Sequence, residues 1–271
     1  MKNLKDKKVL ITGAGSGMGR QLAYQLSAMG AKVFITDINP QTLGETADAI
    51  KAKGGECRQY VLDSGNQQAI ETFAGEFLKE EQYLDVLINN AGMAIGEVTI
   101  TDVKDEHLRR IVDVNMWGVI YFTRAFLPAL LTRPEASVVN FSSVMGLAGL
   151  KTQIPYTVTK FAVRGFSEAL RMELVNTGVT VTSVHPGGIK TNIARNGIHY
   201  TDAQKSVDKL DKMTHTSAEK AATIIINAIR NKKHKVLVGP DAYLVDWIVR
   251  LFPVKYTSIF LWLEKRILGD N

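Results

Sequence analysis

From Lys8 to Val238 the sequence alternates short apolar runs of strand length with longer amphipathic stretches of helix length, and nothing interrupts the series. Strands that are apolar throughout bury both faces. They pair in parallel, and each needs a crossover helix to bring the chain back to the sheet. Strands are predicted at Lys8–Thr12, Lys32–Thr36, Cys57–Leu62, Val86–Ile88, Ser137–Phe141, Val179–Val184 and Lys235–Val238, with helices over about 18–29, 41–53, 66–80, 104–131, 155–176 and 217–230. The expected fold is a single α/β domain over residues 1–240: a doubly wound parallel sheet of about seven strands, Rossmann-like, with helices on both faces. No internal repeat or low-complexity linker marks a boundary. With 271 residues, 45% of them hydrophobic, the chain can fill one such core.

Two segments stand outside the alternation. Residues 190–215 are polar, contain Asn196-Gly197 and follow a strand, which suits a lid over a site at the strand ends. Residues 241–271 are an apolar, aromatic tail with two of the three tryptophans, Trp247 and Trp262, and Pro253 divides it into two helices. One reading packs this helical appendage on the domain or on a second subunit. The other lays a basic, aromatic pair of helices on a membrane surface, where it admits a lipid substrate.

Between the first strand and the first helix runs Thr12-Gly13-Ala14-Gly15-Ser16-Gly17-Met18-Gly19. Glycines here let the backbone turn sharply and approach a pyrophosphate, whose charge is met by the N–H groups at the helix start. The G-x-G-x-x-G spacing fails, because Met18 or Arg20 stands where its last glycine should be. Thr-Gly-x-x-x-Gly-x-Gly fits. Asp37 ends the second strand twenty residues after Gly17, where a dinucleotide site places the acid that holds the ribose hydroxyls. A carboxylate there repels a 2′-phosphate, and Ile38 supplies no cation to reverse the preference, so NAD(H) is expected over NADP(H).

Tyr156 and Lys160 are four residues apart on a predicted helix, and Ser143 lies thirteen residues before Tyr156. Side chains at i and i+4 share a helix face. The Lys160 ammonium can therefore stand beside the Tyr156 phenol and lower its pKa, each unit of depression taking about 1.4 kcal/mol. Hydride transfer at a carbinol carbon needs a proton moved on or off oxygen. Tyr156 suits that acid/base role, and Ser143 can donate to the substrate oxygen as charge develops.

With these motifs in order, joined by Asp63 after the third strand, Asn89-Asn90-Ala91-Gly92 after the fourth, Asn115, and Pro186-Gly187 with Thr191, the chain resembles the short-chain dehydrogenase/reductase family from about Lys7 to Val238. The resemblance implies a catalytic set of Tyr156, Lys160, Ser143 and Asn115, the last distorting its helix to support a water near the lysine. It implies cofactor contacts from Gly13, Ser16, Gly17, Met18, Gly19, Asp37, Asp63, Asn90, Gly92, Tyr156, Lys160 and Pro186, with Asp63 at the adenine and Ile189 and Thr191 holding the nicotinamide carboxamide. It places Met145, Ile154 and Gly187 beside Ser143 and Tyr156 at the substrate. A homodimer or homotetramer built through the helices at 104–131 and 155–176 is implied as well.

Other chemistries lack their residues. His107, His185, His199, His215 and His234 show no metal-ligand spacing, and His185 reads as a packed core or loop residue, so no metal is expected. Ser142 and Ser143 sit in no G-x-S-x-G elbow, which counts against a hydrolase. The lone Cys57 excludes an intrachain disulfide and, with no signal-like N-terminus and no long uninterrupted apolar run, fits a cytoplasmic protein, with membrane contact through the tail left open. The net charge of +6 gathers in Lys205–Arg266 without any nucleic-acid-binding motif, so a solvated face, an anionic lipid surface or an acidic substrate explains it before nucleic acid does. The positions that the resemblance places near the substrate, Met93, Ala94, Ile95, Val144, Met145, Ile154, Gly187 and Gly188, with the lid from Asn192 onward, are mostly apolar, which points to a lipophilic secondary alcohol or its ketone. An NADP(H)-linked reductase of long-chain carbonyl or acyl compounds is the alternative. A non-catalytic dinucleotide-binding scaffold or redox sensor is another, from a different class.

Overall fold

In a computed structural model the described residues are 1–191, 193, 195, 197–200, 214 and 216–268, the side chains of 264, 267 and 268 excepted. Seven parallel strands form the main sheet: β1 (Lys8–Thr12), β2 (Lys32–Asp37), β3 (Cys57–Val61), β4 (Val86–Asn89), β5 (Ala136–Phe141), β6 (Val179–Pro186) and, last in sequence, β9 (Lys235–Val238). Their spatial order is β3-β2-β1-β4-β5-β6-β9, the doubly wound sheet expected from the alternation. The chain begins at the centre and winds outward both ways, so a crevice opens beyond the carboxyl ends of β1 and β4, where ligands bind in sheets of this kind.

Alternate residues of each central strand feed opposite layers. Val9, Ile11, Val86, Ile88 and Val139 join the core under α1 (Gly17–Ala28), α2 (Pro40–Lys51) and α7 (Ala218–Arg230). Leu10, Leu87 and Val138 join the core under α3 (Gln67–Glu81), α5 (Gly118–Leu131) and α6 (Ile154–Glu173), where Phe73, Phe77, Phe122 and Phe126 pack edge to face and tilted.

The predicted helix at 104–131 is one rod with a flaw in it: α4 (Asp105–Val112) runs into a π-helical turn at Asp113–Trp117 before α5. By length and composition this rod could cross a membrane, yet half of its most apolar stretch is buried inside the protein, as in a core helix. Two short strands went unpredicted. β7 (Ile189–Lys190) pairs in parallel with β8 (Thr216–Ser217), so the segment expected as a lid starts and ends at one place. Most of that lid lies outside the described residues. After β9 the chain forms α8 (Pro240–Leu251) and α9 (Tyr256–Leu268).

Candidate active site

After β1 the backbone takes positive φ at Gly13 (65°) and Gly17 (53°). A Cβ on Gly13 would stand 2.7 Å from Ala91 Cα, and one on Gly19 only 2.2 Å from the Gly13 carbonyl oxygen. Only glycine lets this turn close on the Asn89–Gly92 segment. Asn90 fastens the two: its Nδ2 donates to the carbonyls of Thr12 (2.9 Å) and Gly13 (3.0 Å), while its own main-chain N–H and that of Ala91 donate to Thr12 Oγ1. Ser16 is the N-cap of α1, yet its side chain caps no N–H and the first turn carries no acid. That leaves the helix start suited to an anion. Met18 packs on the core beneath. Thr191 faces the turn from the far side, 3.2 Å from where a Cβ on Gly17 would stand.

Asp37 lies at the rim of this turn. One carboxylate oxygen accepts from Gly15 N at 2.8 Å and the other from Asn39 N at 3.0 Å, which fixes the group and leaves lone pairs for further donors. The structure also brings a cation that the chain order hides. Arg20 Nη2 reaches the carbonyls of Gly15 (2.5 Å) and Thr42 (3.0 Å) and the carboxylate of Glu45 (3.0 Å), so its guanidinium stands in the same cluster as Asp37 but is committed to bracing the turn. Asp63 is likewise held by an arginine the sequence reading missed. Burial alone would raise its pKa, but two 2.9 Å bonds from Arg110 and one from Gly65 N outweigh that and leave it below the usual carboxylate range.

The other half of the site forms where α6 meets the ends of β4 and β5. Ser143 follows β5, half-capping a 3₁₀ turn at Val144–Gly146 by accepting from Met145 N. Thr152, just before α6, adopts a left-handed φ of 58° and accepts from Val98 N, a strained link of the kind that gathers at functional sites. Within α6 the i, i+4 spacing puts Lys160 Nζ 5.3 Å from the Tyr156 ring centroid, and the ammonium donates to the Phe141 carbonyl at 3.0 Å. Asn115 sits fully buried in the π-helical turn. Its amide brackets the Met93 main chain, accepting from N at 2.8 Å and donating to O at 2.9 Å. Gly92 separates Asn115 from Lys160, since a Cβ there would stand 3.3 Å from Asn115 Oδ1 and 3.5 Å from Lys160 Nζ.

The charge states depart from the sequence expectation. Burial pushes the Tyr156 phenol up to about 12, against a smaller lowering by its hydrogen bond with Ser143, and burial brings the Lys160 ammonium down to about 8. In the protein alone, loss of water outweighs any lowering of the phenol by the nearby Lys160 ammonium. The lysine spends its proton on the Phe141 carbonyl, and loss of water governs both groups. The phenol is held neutral, as a proton donor. His185 is buried between Ser183 Oγ and the Ser143 carbonyl, and burial lowers its pKa to about 4, so it serves as a neutral packing residue.

Met93, Ile95, Val98, Ile111, Ile198 and Tyr200 form an apolar cluster against Tyr156. The described end of the lid joins it, because Ile198 bridges Ile95 and Tyr200 Oη accepts from Lys104 N at 2.7 Å. Met145 is half-buried and Ile154 is 41% exposed. Gly187, expected at the substrate, instead gives its open side to Asp241, whose carboxylate oxygen would lie 2.0 Å from a Cβ there. The same oxygen accepts from Gly188 N at 2.6 Å. Ile189 buries its side chain in the core, so only its main chain can face a ligand. The tail thus holds the Pro186–Thr191 loop through Asp241, and it holds the loop after Ser143 through Tyr256, whose Oη accepts from Gly149 N at 3.3 Å.

Among the described residues no group of three or more acidic, histidine or cysteine side chains could hold a metal ion. The donor set and the glycine cradle do fit a nicotinamide dinucleotide, with a turn only glycine can make, an uncapped helix start and a fixed carboxylate at the second strand's end.

Comparison with known proteins agrees. A family model described as short chain dehydrogenase matches residues 7–200. A Mycobacterium tuberculosis protein described as an oxidoreductase, SadH, is 37% identical over 265 residues, covering 96% of this chain and 95% of its own length. Among solved structures, a short-chain dehydrogenase/reductase from Burkholderia phymatum in complex with NAD superposes with a TM-score of 0.84 at 26% identity, covering 97% of each chain. A closed serine dehydrogenase complexed with NADP+ superposes at 0.77 with 27% identity over 86% of this chain and 95% of its own. Matched through its motif-bearing region and nearly end to end with SadH, the chain belongs to the short-chain dehydrogenase/reductase family of oxidoreductases, which work with a nicotinamide cofactor.

Proposed function

We propose that this chain is an NAD(H)-dependent oxidoreductase that interconverts a lipophilic secondary alcohol and its ketone. The observation that carries the reading is the half-buried phenol of Tyr156 with Lys160 Nζ 5.3 Å from its ring centroid, in an apolar wall at the mouth of a glycine cradle. When bound, the nicotinamide supplies or accepts the hydride. Tyr156 gives its proton to the ketone oxygen, and in the reverse direction its phenolate form takes one from the alcohol. Ser143 donates to that oxygen as charge gathers on it. Lys160 supplies positive charge close to the phenol, and Asn115, by pinning Met93, keeps the lysine's surroundings fixed. Asp37 favours NAD(H), since its charge opposes a 2′-phosphate. Met93, Ile95 and Ile198 make that wall apolar among the described residues, which suits a lipophilic substrate.

A panel of hydroxysteroids and of medium- and long-chain secondary alcohols with their ketones, followed by NADH absorbance, tests activity and substrate class together. Turnover confined to charged small substrates would overturn the lipophilic reading. NADH binding without turnover anywhere on the panel would favour a scaffold or sensor.

One observation favours a second cofactor reading: Arg20 lies in the Asp37 cluster, and a release from Gly15 and Glu45 would free it for a phosphate. A lower KM for NADPH than for NADH would establish it. We propose also that α6 takes part in a homodimer or homotetramer, because Val158, Phe161 and Met172 leave an apolar stripe along it in water. Sedimentation velocity giving a monomer would exclude this.

A further inference from the structure

The tail carries a face that the site does not use. On α8, Tyr243, Leu244, Trp247 and Leu251 fall within about 100° of arc at 100° per residue, and all are exposed, Trp247 by 62%. Phe252 and Val254 continue the apolar surface through the bend, and Leu261 and Trp262 take it onto α9, Trp262 being 56% exposed. So much aromatic surface in water marks a docking face. Among the described side chains its exposed charge is positive. Arg250, Lys255, Lys265 and Arg266 are exposed, and Arg266 stands 5.1 Å over the Trp262 ring. Among the described side chains from Ala242 to Arg266 the single carboxylate, Asp246, is 15% exposed and held between Lys235 and Arg250.

We infer that α8 and α9 form a docking surface for an anionic lipid bilayer. Tryptophan and tyrosine seat at the boundary of headgroups and acyl chains, and cations around them meet the negative lipid surface. A second copy of the chain fits less well, because a twofold contact through this face would set the same cations against each other with no exposed carboxylate among the described side chains to answer them. The docked face is also joined to both sides of the catalytic cleft, through Asp241 at Gly188 and Tyr256 at Gly149. A bilayer beneath it can therefore present a lipophilic substrate to the apolar wall around Tyr156. This last step rests on the substrate reading above; the docking itself does not.

Flotation of the full chain with phosphatidylcholine vesicles, with and without phosphatidylglycerol, tests the surface without requiring turnover. The intact protein is expected to float with the mixed vesicles, and to come off at high salt. Replacing Lys255, Lys265 and Arg266 together by Gln removes about fivefold in binding per cation, about a hundredfold in all, and Trp247→Ser with Trp262→Ser is expected to lower binding at least about tenfold. Circular dichroism and turnover of a water-soluble ketone should be unchanged in both variants, so a lost fold or a wrong substrate class is seen separately. Absence of flotation by the intact protein, flotation that the variants keep, or a dimer that the tryptophan variant dissolves while flotation is absent would each overturn the inference.

Discussion

The glycine turn and the C-terminal tail meet the same cleft and are built on opposite terms. Around β1 the exposed backbone is answered at short range: Asn90 takes the carbonyls of Thr12 and Gly13, Asp37 takes Gly15 N, and Arg20 takes Gly15 O. In the tail a few polar anchors, Asp241, Tyr256 and the Lys235–Asp246 pair, hold helices whose aromatic side chains stand in water. Chemistry needs a fixed geometry at the turn, whereas the tail needs only attachment. A dinucleotide has one shape, and a turn shaped for it can be rigid. A surface that receives whatever brings the substrate needs apolar area and charge sign more than register.

The largest effect expected comes from the rigid side. Tyr156→Phe removes the proton that moves to or from the substrate oxygen, so turnover should fall by about 10²–10⁴-fold. NADH binding, read by fluorescence titration, should stay near that of the parent. If turnover survived, the dry cluster around α6 would be structural only, and the contrast with the tail would lose its catalytic meaning.

Asp37→Ala should lower kcat/KM for NAD(H) by about ten- to a hundredfold, the loss of one or two charge-assisted hydrogen bonds. It should also leave Arg20 as the dominant nearby charge, so the ratio of NADP(H) to NAD(H) efficiency should rise by at least as much. An unchanged ratio would mean that Arg20 never leaves Gly15 and Glu45.

Much of this arrangement was legible in the sequence, for identifiable reasons. Parallel strands buried on both faces read as unbroken apolar runs, so β1, β2, β5, β6 and β9 fell within two residues of their predicted ends. The glycine turn is legible because Gly13 and Gly19 admit no other residue, and Tyr156 with Lys160 because a helix fixes their spacing. Partners that arrive through folding were not legible. Arg20 meets Thr42 across 22 residues, Arg110 meets Asp63 across 47, and Gly188 meets Asp241 across 53. Each looks in sequence like an ordinary helix-surface charge. β7 and β8 are two residues each, too short to leave a pattern. The phenol's raised pKa depends on how much water the fold removes, which spacing does not encode.

The same dryness gives a stability prediction. Lys160 titrates at about 8 in the folded protein against 10.5 for an ordinary lysine. The unfolded chain therefore binds more protons between those values, and the folded state gains stability as pH rises through that window. Below pH 8 the buried charge costs about 3 kcal/mol, against about 1 kcal/mol returned by the bond to the Phe141 carbonyl. Lys160→Met should be inactive yet more stable than the parent by about 2 kcal/mol at pH 7, and the gap should close near pH 10. Denaturant melts at the two pH values measure it. A variant less stable at pH 7 would show that water reaches the lysine.

Asp241→Asn probes the join between the two regions. It keeps an acceptor for Gly188 N but loses the charge that strengthens a 2.6 Å bond, and an amide must replace the buried Oδ1 that has no hydrogen-bond partner. The Pro186–Thr191 loop should loosen, raising KM for NAD(H) by about tenfold while kcat moves less, since about 1.4 kcal/mol is one such bond's worth. Equal loss in kcat and kcat/KM would place Asp241 in the chemistry and not in loop positioning.

The smallest expected effect separates the regions most cleanly, because it uses one kind of change in two places. Phe126→Ala, in the fully buried cluster with Phe73 and Phe77, should cost about 3–5 kcal/mol through lost contacts and an unfilled cavity. Trp247→Ser deletes a larger aromatic side chain, yet Trp247 is 62% exposed, so the unfolded chain gains little by releasing it. The expected change in unfolding free energy is within about 0.5 kcal/mol, and turnover of a water-soluble substrate should match the parent, both measured at low protein concentration without lipid. A loss above about 1 kcal/mol that grows with protein concentration would mean that the tail is already covered by another copy of the chain. The tail would then be rigid in the same sense as the glycine turn, and its aromatic face would belong to an assembly before any membrane.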